Sequence, residues 1–140
     1  MLIRHDGKVV VVTGGGAGIG RAICLQLAEE GGRVAIFDAN LDAAQETADL
    51  ILNEGGSTTT HHVDVRSRDQ IQAAIDEVVS VHGKVDLVVN NAGVITMTDL
   101  ENLTDDEWDF VVDVNLKGSF LVAQIASRCM KEGGAMVNLA

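Results

Sequence analysis

The sequence contains no tyrosine, so no phenol is available within it for acid–base chemistry. Cysteine is nearly as scarce. Cys24 and Cys129 lie far apart, match no metal-ligand spacing and are not needed as a disulfide staple in a chain of 140 residues. A reducing cytoplasm is therefore the expected setting, and no residue set is assigned to a metal. Positive charge is also short. Ten Lys and Arg against 21 Asp and Glu leave a formal net charge of −11. Such a surface repels phosphate polyanions and anionic lipid headgroups, which argues against nucleic acid as a partner. The N-terminal stretch Met1 to Lys8 lacks the long apolar segment of a signal peptide. No later apolar run approaches the ~20 residues that cross a bilayer, so a soluble, unsecreted protein without a membrane partner is expected.

What is present points to one folded domain over residues 1–140. Hydrophobic residues make up 46% and charged residues 22%, a balance that can bury a core. Glycine is enriched at 15 residues, many at junctions between apolar runs. Val9 to Val12 is a β-branched run that reads as a strand buried on both faces, ending at Thr13 and a glycine cluster. Ile19, Ala22, Ile23 and Leu27 then recur at helical spacing until Gly31-Gly32. Val34 to Phe37 is a second strand closed by Asp38, and Leu41, Ala44, Ala48, Ile51 and Leu52 mark a second helix ending at Gly55-Gly56.

Ser57 to Val63 is a more polar strand, as suits a sheet edge. Ser67 with Gln70 predicts a capped third helix ending near Gly83, and Val85 to Val89 a fourth strand. Thr104 with Glu107 predicts a fourth helix running toward Met130; Gly133-Gly134 ends it and Ala135 to Leu139 forms a fifth strand. The alternation predicts an α/β fold with a doubly wound parallel sheet and three α/β/α layers, incomplete at the C-terminal side, where the fifth strand is left as an edge.

The most informative segment is Thr13 to Gly20, between the first strand and its helix. Glycines there let the backbone turn tightly and let a pyrophosphate approach the N–H groups at the helix N-terminus. The spacing is G-x-x-x-G-x-G through Gly14, Gly18 and Gly20, not the common G-x-G-x-x-G, and no Lys-Ser or Lys-Thr follows to make a Walker-type loop. A glycine-rich turn without a ligand is the structural alternative. Asp38, at the end of the second strand, is placed to accept both ribose hydroxyls of an adenosine and to repel a 2′-phosphate, favouring NAD over NADP. Its alternative is a solvated strand end. Asn90-Asn91-Ala92-Gly93 can fold a loop over a ligand or form an ordinary turn. Asn115 is a weak helix former inside a predicted helix, which implies either a functional role or a local helix distortion.

Taken in order, Thr-Gly-x-x-x-Gly-Ile-Gly at 13–20, Asp38, Asp64-Val65, Asn90-Asn91-Ala92-Gly93 and Val114-Asn115 resemble the cofactor-binding half of the short-chain dehydrogenase/reductase family. The resemblance implies a Rossmann domain that binds NAD through Gly14, Gly16, Ala17, Gly18, Ile19 and Gly20, with Asp64 on the adenine amino group and Val65 lining the base. Asn91, Ala92 and Gly93 would lie beside the nicotinamide ribose. Asn115 would match the asparagine of the family's catalytic tetrad. The family's serine after the fifth strand and its Tyr-x-x-x-Lys segment have no counterpart in these residues. The expectation is therefore an NAD-dependent oxidoreductase acting on a small-molecule alcohol or carbonyl substrate, present here as its dinucleotide-binding part, truncated before the catalytic segment and inactive alone. The complete protein is expected to be a homo-oligomer.

A stand-alone nucleotide-binding or regulatory module is the second hypothesis. A methyltransferase using S-adenosylmethionine shares the glycine loop and acidic residue, but the Asn-Asn-Ala-Gly segment argues against it. Other conspicuous residues receive structural readings. His61 and His62 face opposite sides of a strand as surface imidazoles, Asp105-Asp106-Glu107 favours a helix N-terminus by charge, and Cys24 and Cys129 are small packing residues on helices.

Overall fold

A computed structural model describes residues 3–140; Met1 and Leu2 of the N-terminal segment read above lie outside them. Five parallel strands form one sheet in the order β3-β2-β1-β4-β5. They are β1 (Val9–Thr13), β2 (Arg33–Asp38), β3 (Ser57–His62), β4 (Val85–Asn90) and β5 (Met130–Asn138). The helices are α1 (Gly18–Glu29), α2 (Leu41–Asn53), α3 (Arg68–His82), α4 (Asp105–Val112) and α5 (Gly118–Ser127). This is the doubly wound order, and the sheet is not closed. The polar strand Ser57–His62 does lie at an edge, and β5 is the other.

The continuous valine run of β1 is explained by its central place, because successive side chains enter opposite layers. Val9 and Val11 join a core with Ile71, Ile75 and Val78 of α3 and Leu121, Val122 and Ile125 of α5. Val10 and Val12 join the opposite core with Cys24 of α1 and Ala44, Ala48 and Ile51 of α2. All four valines are fully buried, each contributing roughly 1.5–3 kcal/mol over an exposed position. Because the strands are parallel, their C-terminal ends open on one side, where the sequence changes direction between β1 and β4. Ligands of such sheets bind at that switch point.

Several local expectations change. The fourth predicted helix is α4 and α5 joined by a π-helical turn, Asp113–Lys117, and it ends at Ser127 rather than near Met130. Strand β5 starts at Met130, with a register irregularity before Ala135 that absorbs the Gly133-Gly134 pair. Glycines read as a helix stop thus sit inside an irregular edge strand, where a bulge tolerates them. Cys129 consequently lies in the turn after α5, not on a helix. The Thr104–Glu107 capping box is complete. At α3, Ser67 caps the Gln70 N–H, but the Gln70 side chain accepts from the Asp64 N–H instead of closing the box.

The uninterrupted helical stretch Asp105–Ser127 is long and apolar enough to cross a membrane by length and composition, a stretch that searching for unbroken apolar runs did not single out. Three acidic residues fill its first turn; Leu121, Val122, Ile125 and Ala126 lie in the core, while Trp108, Phe110, Leu116 and Phe120 are exposed.

Candidate functional site

A cleft of about 540 Å³ opens at the C-terminal ends of β1, β2 and β4. Its lining includes Gly14, Ala17, Gly18, Ile19, Gly20, Asp38, Asp64, Val65, Asn91, Ala92 and Gly93, so four sequence motifs far apart along the chain meet there. Gly16 and Asn115 stand just behind the lining and act on it through neighbours.

The glycine loop is built tightly. Gly14 has φ +66°, a left-handed conformation that favours glycine, and a Cβ there would come within 2.9 Å of Ala92 Cα. Asn91 crosses to the loop, its Nδ2 donating to the Thr13 and Gly14 carbonyls at 3.0 and 3.1 Å. The buried Thr13 hydroxyl returns the link, accepting from the Asn91 and Ala92 N–H groups at 3.0 Å each. From below, Thr47 Oγ1 donates to the Gly15 carbonyl at 3.0 Å, and Arg21 Nη2 donates to the Gly16 carbonyl at 2.6 Å. Arg21 also donates to Thr47 and pairs with Glu46 at 2.9 Å. Arg21, Thr47 and Thr13 are site-building residues that motif reading did not assign. Arg21 follows the loop by one residue and could have been suspected; Thr47 is distant in sequence and carries no local signal.

Asp38 is held from two directions. Its Oδ2 accepts from the Gly16 N–H and its Oδ1 from the Asn40 N–H, both at 2.8 Å. A Cβ on residue 16 would reach the same Oδ2 at 2.8 Å, so glycine is required for this contact. The contact joins the loop to the end of β2. Ala17, which precedes α1, provides no side-chain cap, whereas Asn40, Ser67 and Thr104 cap α2, α3 and α4. Leaving helix N–H groups uncapped beside a glycine loop fits an anionic ligand at that point.

Ile19 belongs to this site rather than to the core. It is 66% exposed and lines the cleft, while the buried positions of α1 are Gly20 and Cys24 and Ala22 is exposed. Helical periodicity locates an apolar face but does not tell a sheet-facing position from a cleft-facing one. Cys24 lies directly beneath Gly15, and burial, reinforced by Asp38, pushes its thiol up to about 12. It packs and does not ionise.

At the opposite wall, Asp64 forms a two-oxygen pair with Arg66, and this holds its carboxyl below the usual range. Asn115 occupies the π turn. Its Oδ1 accepts from the Val94 N–H and its Nδ2 donates to the Val94 carbonyl, both at 2.8 Å, pairing with one backbone unit as a strand would. The local helix distortion is present: the turn is widened where Asn115 pins the loop after β4. Asn90, beside the site, is buried, and its amide Oδ1 has no partner among the described residues. His61 departs from the surface reading. It is buried, with Nδ1 at 3.0 Å from Glu77 and Nε2 at 2.9 Å from the Thr59 hydroxyl, because the β3 face it occupies is covered by α3.

Residues 8–140 match the short chain dehydrogenase family. The chain belongs to that family. D-threitol dehydrogenase of Mycolicibacterium smegmatis is 39% identical over 139 residues, 98% of this chain and 54% of the relative. Versicolorin reductase stcU of Emericella nidulans is 38% identical over 135 residues, 96% of this chain and 51% of the relative. A crystal structure of a short-chain type dehydrogenase/reductase from Mycobacterium marinum superposes with a TM-score of 0.94 at 33% identity, covering 98% of this chain and 57% of that one. The short-chain dehydrogenase chain described here spans about half the length of the curated relatives it matches.

Proposed function

We propose that the cleft binds a nicotinamide adenine dinucleotide, NAD in preference to NADP, and that residues 1–140 are the cofactor-binding part of an oxidoreductase interconverting a small alcohol and its carbonyl. The observation that carries this reading is the Asp38 carboxylate, fixed by the Gly16 and Asn40 amides beside the uncapped start of α1. One carboxylate at that place accepts two vicinal ribose hydroxyls and repels a 2′-phosphate. The nearby Arg21 guanidinium is already committed to Glu46 and the Gly16 carbonyl, leaving it poorly placed to neutralise an added phosphate.

The remaining roles follow from position. The α1 N-terminus and the loop through Gly14, Gly18 and Gly20 would hold the diphosphate; Asp64 and Val65 would line the adenine; Asn91, Ala92 and Gly93 would lie beside the nicotinamide ribose. When bound, the dinucleotide supplies hydride transfer. Asn115, the proposed member of the catalytic set, orders the Val94 backbone and keeps the loop after β4 in place. Reduction of a carbonyl also needs a proton donor, and with no tyrosine among the 140 residues the chain alone is expected to turn over no substrate. Cytoplasmic residence and homo-oligomer formation by the complete protein belong to the same reading.

The test is the Asp38→Asn variant, measured by equilibrium binding of both cofactors. NAD affinity should fall roughly tenfold, the scale of a hydrogen bond to a charged group, while NADP affinity is unchanged or rises. An unaltered ratio between the two cofactors would refute the assignment.

A further inference from the structure

Arg66 is the one cationic side chain lining the cleft among the described residues, and it is engaged on two sides. Its Nε donates to Asp64 Oδ1 at 3.0 Å and to Oδ2 at 3.1 Å, and its Nη2 donates to Oδ2 at 2.6 Å. The Arg66 backbone N–H adds a bond to Oδ1 at 2.9 Å. On its other side the guanidinium carbon lies 5.0 Å from the centroid of the Phe110 ring on α4, within cation–π range. Carboxylate, guanidinium and aromatic ring therefore form one array across the rim, joining the loop after β3 to α4.

A loop carboxylate left to itself turns about its side-chain torsions and accepts from whatever approaches. Asp64 is not free in that way. A carboxylate has about four lone-pair directions, and Arg66 occupies most of them, leaving a narrow direction open to a further donor. The pairing also holds the group ionised. A charged acceptor fixed in direction attracts an N–H placed there and repels a carbonyl oxygen placed there. Because Asp64 already matches the guanidinium charge, Arg66 is a poor phosphate ligand and a good brace.

We propose that Arg66 is a positioning residue that sets the base selectivity of the cleft. By locking the Asp64 carboxylate and resting on Phe110, it favours a purine bearing an amino group at C6 over one bearing a carbonyl. The proposal rests on the dinucleotide reading above, and its test separates the two.

The intact protein is titrated with NADH and with reduced nicotinamide hypoxanthine dinucleotide, in which the adenine amino group is replaced by a carbonyl, following dihydronicotinamide fluorescence. The unaltered protein should prefer NADH by about tenfold. Arg66→Ala should reduce that preference to about twofold by weakening NADH, with the hypoxanthine analogue changed by less than about twofold. Arg66→Lys, which keeps the charge and loses the planar fork, should fall between, and it carries the test if the alanine variant does not fold. A merely structural role predicts that both dinucleotides weaken together, and that result overturns the proposal. So does a preference unchanged in both variants. Failure of the unaltered protein to bind either dinucleotide would instead sink the cofactor reading itself.

Discussion

Replacing Thr13 by valine isolates the bond network that closes the glycine loop. Thr13 is 1% exposed, and its hydroxyl accepts from the Asn91 and Ala92 N–H groups at 3.0 Å each. Valine has nearly the same shape and fits the same strand position, so Thr13→Val opens no cavity; it removes the acceptor and leaves two amides without a partner. A buried donor left unsatisfied costs about 1–3 kcal/mol. Residues 91 and 92 are only half-buried and water reaches them in part, so a total loss of about 2 kcal/mol is expected. At about 2.1 cal/mol/K of unfolding entropy per residue, that lowers the melting temperature of a 140-residue chain by about 7 °C. Thr13→Ser is the control. It keeps the hydroxyl and loses one methyl group, costing about 1 kcal/mol. Urea unfolding gives the two stabilities, and hydrogen exchange at the Asn91 and Ala92 amides gives the mechanism, since exchange should quicken in the valine variant and not in the serine variant. If serine is the more damaging change and exchange at those amides is unaltered in Thr13→Val, the hydroxyl does not close the loop and the reasoning fails.

Two further outcomes follow from the site's surroundings. The Thr104 N–H, with the Thr98 and Thr104 hydroxyls, lowers the Glu107 carboxyl from 4.5 to about 2. A folded-state value below the unfolded one contributes stability above 4.5 that is lost as pH falls toward about 2. Acid unfolding of Glu107→Gln should therefore depend less steeply on pH across that window than the unaltered protein; parallel curves would contradict the pairing. The buried Cys24 thiol, pushed up to about 12, should resist a thiol reagent at mildly alkaline pH while the half-buried Cys129 is labelled. Labelling that persists in Cys129→Ala without unfolding would show that Cys24 is less enclosed than the fold places it.

Features that depend on near neighbours are legible along the chain. Strand runs, helix starts at Ser67 and Thr104, and the glycine loop between β1 and α1 are local, because β-branched packing, capping and left-handed turns act over a few residues. The order of the family motifs was legible for the same reason. Boundaries at Gly133-Gly134 were not, since a glycine pair ends a helix or enters an irregular edge strand according to which strand lies beside it.

Which faces are covered and which distant groups meet depends on the assembled fold. Ile19 continues a helical apolar stripe yet faces the cleft, and His61 is buried because α3 lies across β3. Thr47 reaches the Gly15 carbonyl, Asn115 reaches Val94, and Arg66 reaches Phe110 only after parallel crossovers return those segments to one end of the sheet. Periodicity records the repeat of a single element, whereas these contacts depend on the register and layering of several.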